Sequence, residues 1–265
     1  MADSNPKLAD AFRTNKTYYR MMREHNVKTG ETPAIENEML DFVRSTKPDQ
    51  VFFDAGAGEG TITVWIAEQL PKNQVIAVDL SPVGIGMGQA LAKKRGVKNL
   101  SLSVDSLEKL TLKDNSVDRV FSQSVVEHVP NLPAMFSELY RVMRPGSEGI
   151  IRVSNAASMH HFSLKHYLFH RNDPIPSDPT GELKEGDYWQ HRHNFDAHEL
   201  PAYTLQKLVE QAGLKVTFLT TFPSHLPTEP GSGLKRLLLR VLVALRWLPI
   251  LRQLGPTTIL KFQKP

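Results

Sequence analysis

Three glycines at alternate positions follow an acid in the stretch Val51-Phe52-Phe53-Asp54-Ala55-Gly56-Ala57-Gly58-Glu59-Gly60. Glycine adopts backbone conformations with positive φ, and without a side chain it lets a ligand approach main-chain N–H groups closely. A helix-like segment, 61–70, comes next, so its N-terminus is expected to face the same ligand. The order of these residues predicts a buried strand, a tight turn and a helix that together bind a small molecule.

The spacing of the glycines bears on the kind of ligand. A dinucleotide-binding turn has the pattern G-x-G-x-x-G, whereas Gly56, Gly58 and Gly60 give G-x-G-x-G. This spacing opposes a nicotinamide-dependent dehydrogenase, which we keep as an alternative function.

Two more apolar runs end in acids. The run 75–78 leads into Asp79 and Leu80, and a carboxylate at that edge of a strand can accept both hydroxyls of a ribose. The run 100–104 leads into Asp105 and Ser106, where an acid can accept from an adenine amino group. A solvated acid at Asp79 and a helix cap at Asp105 are the plainer alternatives.

Together these motifs resemble the class I S-adenosylmethionine-dependent methyltransferases of the small-molecule type, including the ubiquinone-pathway enzymes. The resemblance covers roughly 50–155, where 118–129 is similar to the family's fourth motif and 139–146 to the helix and turn before its fifth strand. It implies S-adenosylmethionine as cofactor. The cofactor-binding residues that it implies are Asp54, Gly56, Ala57, Gly58, Gly60, Asp79, Leu80, Asp105, Ser106 and Ser122.

His128 is the candidate general base, because it follows the predicted fourth strand and an imidazole titrates near neutral pH. The alternative is that it packs against the N-terminal region. Glu127 and His128 also resemble the metal-binding end of the ubiquinone-pathway O-methyltransferases. Ser124 stands where that motif has an acid, so we predict no metal.

Acceptor-binding candidates lie outside these motifs. Tyr18 and Tyr19 are predicted to close over the methyl donor, with core packing as the alternative. A histidine-rich stretch offers His161, His191 and His193 for the acceptor pocket, although a solvated position is the plainer interpretation of each one. His191 and His193 would share one face of a strand, but no third ligand is fixed by spacing.

The elements that position these residues alternate between strands and helices, which predicts an α/β fold with a parallel, doubly wound sheet. The resemblance implies a Rossmann-like sheet of seven strands, mostly parallel, with an antiparallel last strand. We expect an N-terminal helical cap at 1–48 and a methyltransferase domain at 49–265. Two insertions interrupt that domain, an acceptor lid at about 155–200 and an apolar, basic helix within 221–256.

Residues 234–248 form the amphipathic part of the second insertion. At a rise of about 1.5 Å per residue, such a helix is too short to cross the roughly 30 Å hydrocarbon core of a membrane. Its apolar face needs a cover, which would be the domain's own sheet, a second subunit of a homodimer or a membrane surface.

Composition sets the remaining expectations. The chain has no cysteine and a net charge of +4, and it starts without a signal-peptide pattern, so we expect a cytoplasmic protein, with peripheral membrane contact through 234–248 as the alternative. No basic groove or recognition motif indicates nucleic acid as a partner. The expected function is methyl transfer to an oxygen or nitrogen of a small-molecule acceptor, apolar or lipid-like. A homologue that binds the cofactor without transferring methyl is a further alternative.

Overall fold

A seven-stranded sheet forms the centre of the protein in the computed structural model, which describes residues 35–155, 200–221, 255 and 257–265. The strands are β1 (Val51–Ala55), β2 (Gln74–Asp79), β3 (Leu100–Val104), β4 (Val117–Gln123), β5 (Met143–Ser154), β6 (Lys215–Thr220) and β7 (Thr257–Gln263). Their order is β3-β2-β1-β4-β5-β7-β6. The first five pair in parallel, and β7 runs antiparallel to both β5 and β6. The predicted fold class is therefore confirmed.

Helices cover both faces of this sheet. They are α1 (Asn37–Arg44), α2 (Thr61–Gln69), α3 (Pro82–Arg95), α4 (Leu132–Val142) and α5 (Ala202–Gln211), with a 3-10 turn at Val126–His128. Local sequence explains the bounds of α3: the Ser81 hydroxyl accepts from the N–H of Gly84, and Gly96 ends the helix with a φ of 68°. At α4 the same capping role falls to Asn131, whose side chain accepts from the N–H of Ala134.

Neighbouring residues of each strand belong to two separate cores, because successive side chains point to opposite faces of a sheet. Phe53 packs with Phe136 and the rest of the cluster under α4 and α5. Phe52, one residue earlier, packs with Phe121 and the cluster under α1 and α2. The buried aromatic rings each contribute roughly 1.5–3 kcal/mol of hydrophobic stabilisation, so they fix the register of β1 against β4.

Helix α1 is the described part of the predicted N-terminal cap, and it buries Met39, Phe42 and Val43. The guanidinium of Arg119 lies 3.7 Å above the Phe42 ring centroid and donates to the Phe42 carbonyl oxygen at 2.8 Å. This contact fastens α1 to β4. The remainder of the cap and most of both insertions, including 234–248, lie outside the described residues, so the predicted domain limits remain predictions.

No helix among the described residues is long and apolar enough to span a membrane.

Candidate functional site

The strand order reverses at β1 and β4, since the chain runs outward from β1 through β2 to β3 and outward from β4 to β5. In open α/β sheets, ligands bind beyond the carboxyl ends of the strands at such a switch point. The glycine turn follows β1 there, and the 3-10 turn that contains His128 follows β4.

The glycines of the turn are needed for their backbone conformation and for close packing. Gly56, Gly58 and Gly60 have φ values of 100°, 55° and 84°. A Cβ on Gly56 would lie 2.3 Å from a methyl carbon of Val125, and one on Gly60 would lie 2.5 Å from the Cα of Gly88. The turn is thus held between the 3-10 turn and α3.

The main-chain N–H groups of the turn are already used inside the protein, which differs from the expectation that they face a ligand. Gly56 and Ala57 donate to the Val78 carbonyl, Gly58 to the Asp79 carboxylate, and Gly60 to the Ala57 carbonyl. An anionic phosphate ligand needs such donors to be available.

Asp54 lies beneath the turn with 3% of its surface exposed. Its carboxyl accepts a hydrogen bond from the Thr63 hydroxyl of α2. Burial raises the pKa of Asp54 to about 7, the bond from Thr63 lowers it, and the nearby charge of Asp79 raises it. Asp54 therefore links the end of β1 to α2 below the glycine turn.

Asp79 connects the end of β2 to the glycine turn. Its two carboxylate oxygens accept from the N–H groups of Gly58 at 2.8 Å and Ser81 at 2.9 Å. A carboxylate oxygen can accept more than one hydrogen bond, and the ribose contact of Asp79 stays a prediction. Leu80 follows and is half-buried.

Asp105 and Ser106 begin the loop after β3. Asp105 accepts from the Thr111 N–H and hydroxyl, both at 2.8 Å, and from the N–H of Ser106. Its carboxylate therefore shapes this loop, and an adenine contact stays a prediction. Ser106 closes the same loop by accepting from the N–H of Glu108 at 3.3 Å.

Ser122 is fully buried in β4, and its hydroxyl donates to the Ala55 carbonyl at 2.9 Å. The hydroxyl thus binds the end of β1 beside the turn, and its predicted cofactor contact is untested.

His128 is half-buried in the 3-10 turn, and its main-chain N–H donates to the Val125 carbonyl at 2.8 Å. Since Val125 also touches Gly56, the predicted base is close in the fold to the glycine turn. The other predicted acceptor residues, Tyr18, Tyr19, His161, His191 and His193, lie outside the described residues. In the described part of the chain, no group of three or more His, Asp or Glu side chains is arranged to hold a metal.

Two residues of the site were missed by the sequence analysis. Glu59 is buried and accepts from the N–H and hydroxyl of Thr61 at the start of α2. Gly88 allows α3 to touch Gly60, and the alternating glycines at 84, 86 and 88 were a visible signal for such an approach.

Asn155 joins the ends of both predicted insertions at the same edge of the sheet. Its side-chain amide donates to the Gly255 carbonyl at 2.7 Å and accepts from the Ala202 N–H at 3.3 Å. The N–H of Gly255 donates in turn to the Thr221 hydroxyl at 2.9 Å. The two insertions therefore leave the domain side by side.

The residues present fit an adenosyl sulfonium. The carboxylates of Glu59 and Asp79 lie at a turn whose N–H groups are engaged, and this suits a ligand with hydroxyl groups and a positive charge.

Comparison with known proteins supports this interpretation. Residues 53–151 match the family described as a methyltransferase domain. Phosphoethanolamine N-methyltransferase 3 of Arabidopsis thaliana is 31% identical over 137 residues, which are 51% of this chain and 26% of that protein. Malonyl-[acyl-carrier protein] O-methyltransferase of Serratia marcescens is 34% identical over 121 residues, 46% of this chain and 44% of that one. The chain spans about half, or less, of the length of the curated relatives that it matches.

Solved structures show the same architecture. A SAM-dependent methyltransferase of Aquifex aeolicus superposes with a TM-score of 0.59 at 14% identity, over 95% of this chain and 99% of that one. The match at 53–151 contains the glycine turn, Asp79, Asp105 and the turn with His128. Residues 53–151 therefore match a methyltransferase domain, and the sheet has the architecture of solved SAM-dependent methyltransferases.

Proposed function

We propose that the protein transfers the methyl group of S-adenosylmethionine to an oxygen or nitrogen of a small-molecule acceptor. The glycine turn carries this proposal, because its N–H groups are paired within the protein while carboxylates surround it. A pyrophosphate would meet negative charge and no available donor among these N–H groups. A cationic ligand with ribose hydroxyls is compatible with the same geometry, so methyl transfer is favoured over nicotinamide chemistry.

The donor supplies a methyl group on a sulfonium, which is activated for in-line displacement. The protein's task is then alignment, and holding reactants in attack geometry is worth roughly 7–11 kcal/mol. Asp79 would hold the ribose, and the rigid contact of Gly56 with Val125 fixes the distance between the glycine turn and the 3-10 turn.

We propose His128 as the general base, for an acceptor that must lose a proton. It lies on the turn after β4, at the switch point, and is half-buried. Its contribution would be about 10²–10⁴-fold in rate. Tyr18 and Tyr19 are proposed to cover the donor, and His161, His191 and His193 to line the acceptor pocket.

The acceptor is proposed to be apolar or lipid-like. The relatives named above are named for an ethanolamine derivative and for an acyl group on a carrier protein, and both are small acceptor groups. The apolar, basic segment 234–248 supports an apolar acceptor. We propose that its apolar face is covered by the domain's own sheet, a second subunit or a membrane surface. We propose a cytoplasmic protein.

Calorimetry tests the donor site directly. Asp79→Asn should weaken binding of S-adenosylmethionine by tenfold or more, because each hydrogen bond to a charged group contributes roughly 1.5–3 kcal/mol. Asp114→Asn is the matched control, since this acid pairs with Arg141 in the loop before β4. NAD⁺ should not bind to the wild-type protein. Binding of NAD⁺ with a lower dissociation constant than S-adenosylmethionine would overturn the proposal.

The base is tested once an acceptor is identified by supplying isotopically labelled donor with a cell extract. His128→Gln should lower kcat by about 10²–10⁴-fold and leave the affinity for the donor unchanged. Undiminished turnover of this variant would remove His128 from the mechanism.

A further inference from the structure

Glu127 is a buried acid that has no hydrogen-bond partner among the described residues. Its side chain lies in the 3-10 turn, only 3% of its surface is exposed, and neither carboxylate oxygen has a partner within the described part of the chain. The buried acids nearby differ in this respect, since Asp54 accepts from Thr63 and Glu59 accepts from Thr61.

An orphaned buried carboxylate needs a physical explanation. Burying a polar group without a hydrogen bond is costly, and buried polar groups in proteins are rarely unpaired. Arg152 of the neighbouring strand β5 is engaged elsewhere, since it donates to Glu36 at 2.8 Å and to the Ser124 hydroxyl at 2.7 Å. A protein that retains such a group is prepared for a ligand that supplies the missing donors.

The 3-10 turn that carries Glu127 lies beside the crevice at the switch point. Val125, two residues earlier, touches Gly56 of the glycine turn, and His128 follows directly. The donor's ribose is assigned to Asp79 on the far side of the turn. The acceptor is therefore the ligand that we expect beside the turn after β4.

The side chain of Glu127 is a carboxylate, and this indicates which chemical groups a ligand must bring to it. Two bare oxygens accept hydrogen bonds and favour positive charge, whereas a second carboxylate would be repelled. A metal ion is the less suitable partner, because the described residues contain no cluster of three acidic or imidazole side chains.

We propose that Glu127 is a specificity-determining residue that binds the amino group of an amine acceptor. This inference rests on the proposed methyl transfer and narrows its acceptor to nitrogen. A bound ammonium first loses one proton to His128; its lone pair then forms the N–C bond as the S–C bond breaks, and that bonding pair stays on sulfur. Glu127 holds the head group through this sequence and rejects acceptors that end in a carboxylate.

The first experiment measures ligand selectivity with the full chain saturated with S-adenosylhomocysteine. The probes are matched amines and carboxylates: ethanolamine and glycolate, hexylamine and hexanoate, phenethylamine and 3-phenylpropanoate. At least one amine should bind more tightly than its carboxylate partner, and Glu127→Gln should weaken the affinity for that amine by tenfold or more. Glu210→Gln removes the same charge from an exposed position on α5, and it should change neither the affinity for the amine nor its preference over the carboxylate.

The second experiment separates a binding role from a structural one. Glu127→Met keeps the length of the side chain and removes the orphaned oxygens, so it should raise the Tm of the ligand-free protein by a few degrees. A carboxylate that stabilised the fold would give a lower Tm instead.

Several results would overturn the inference. They are a panel in which no amine binds better than its carboxylate, an amine affinity that Glu127→Gln leaves intact, and an amine preference abolished by a chelator. A Glu127→Gln variant whose affinity for S-adenosylmethionine itself falls tenfold would place the residue on the donor instead. Failure of the wild-type protein to bind S-adenosylmethionine would be a different result, since it would refute the proposed function as well.

Discussion

Asp54 is a buried acid of the site whose pKa lies near neutral pH. Its pKa rises from an ordinary 3.8 to about 7, chiefly through burial. The folded protein therefore binds this proton more tightly than the unfolded chain does. Between these two pKa values the folded state carries more protons, so the free energy of unfolding falls as the pH rises from about 4 to about 7.

Asp54→Asn should remove this dependence. The asparagine can still accept from Thr63 but does not ionise, so the variant should gain stability relative to the wild type as the pH rises through this window, by up to about 4 kcal/mol at pH 8. Urea unfolding at pH 5, 6, 7 and 8 measures the difference. Asp41→Asn, an exposed acid of α1, controls for the lost charge. Parallel curves for Asp54→Asn and wild type would contradict the prediction.

At the scale of elements, the site depends on how closely α3 approaches the glycine turn. A Cβ on Gly88 would lie 3.2 Å from both the Gly60 Cα and a methyl carbon of Leu102, tighter than ordinary contacts. At Gly86, two residues earlier on the same helix, the equivalent position meets no atom within 4 Å from the described residues outside the helix's own backbone. The helix therefore offers two glycines that differ only in their surroundings.

Gly88→Ala and Gly86→Ala should have opposite effects on the free energy of unfolding. Gly88→Ala pushes α3 away from the turn and should lower the free energy of unfolding by about 1–3 kcal/mol. It should also weaken the binding of S-adenosylmethionine, because Gly60 moves with the contact. The second only improves helix propensity, by up to about 1 kcal/mol. Denaturant unfolding and calorimetry on the pair provide the measurement. Equal effects of the two substitutions would show that this contact does not constrain the turn.

At the scale of the whole molecule, the sheet could be predicted because its central strands contain apolar runs that end in turn residues. The run 51–53 and the run 75–78 became neighbouring parallel strands as expected, and the acid after each one reached the same edge. What the pattern could not show was where each polar atom is used. The hydroxyl of Ser122 bonds across to Ala55, and no local feature of the sequence indicates that partner.

The N–H groups of the glycine turn illustrate the same limit. Their spacing predicted a tight turn, but their engagement by Val78 and Asp79 depends on the register of β1 against β2, which brings Ala55 opposite Val78. Glu127 is similar, since its lack of a partner follows from what surrounds it in space. Such facts depend on contacts between distant parts of the chain, so sequence patterns identify the location of the site better than its chemistry.

Asn155 joins distant parts of the chain, since its partners are residues 202 and 255. Asn155→Ala should cost about 2–5 kcal/mol, because it leaves a buried carbonyl and a buried N–H unpaired. Asn131→Ala, which removes a single capping bond from α4, should cost about 1 kcal/mol. Hydrogen exchange should then quicken at Ala202 and Gly255 but not in β1 or β2. Uniform quickening across the sheet would mean that Asn155 supports the global fold, and the two insertions would then not share a local anchor.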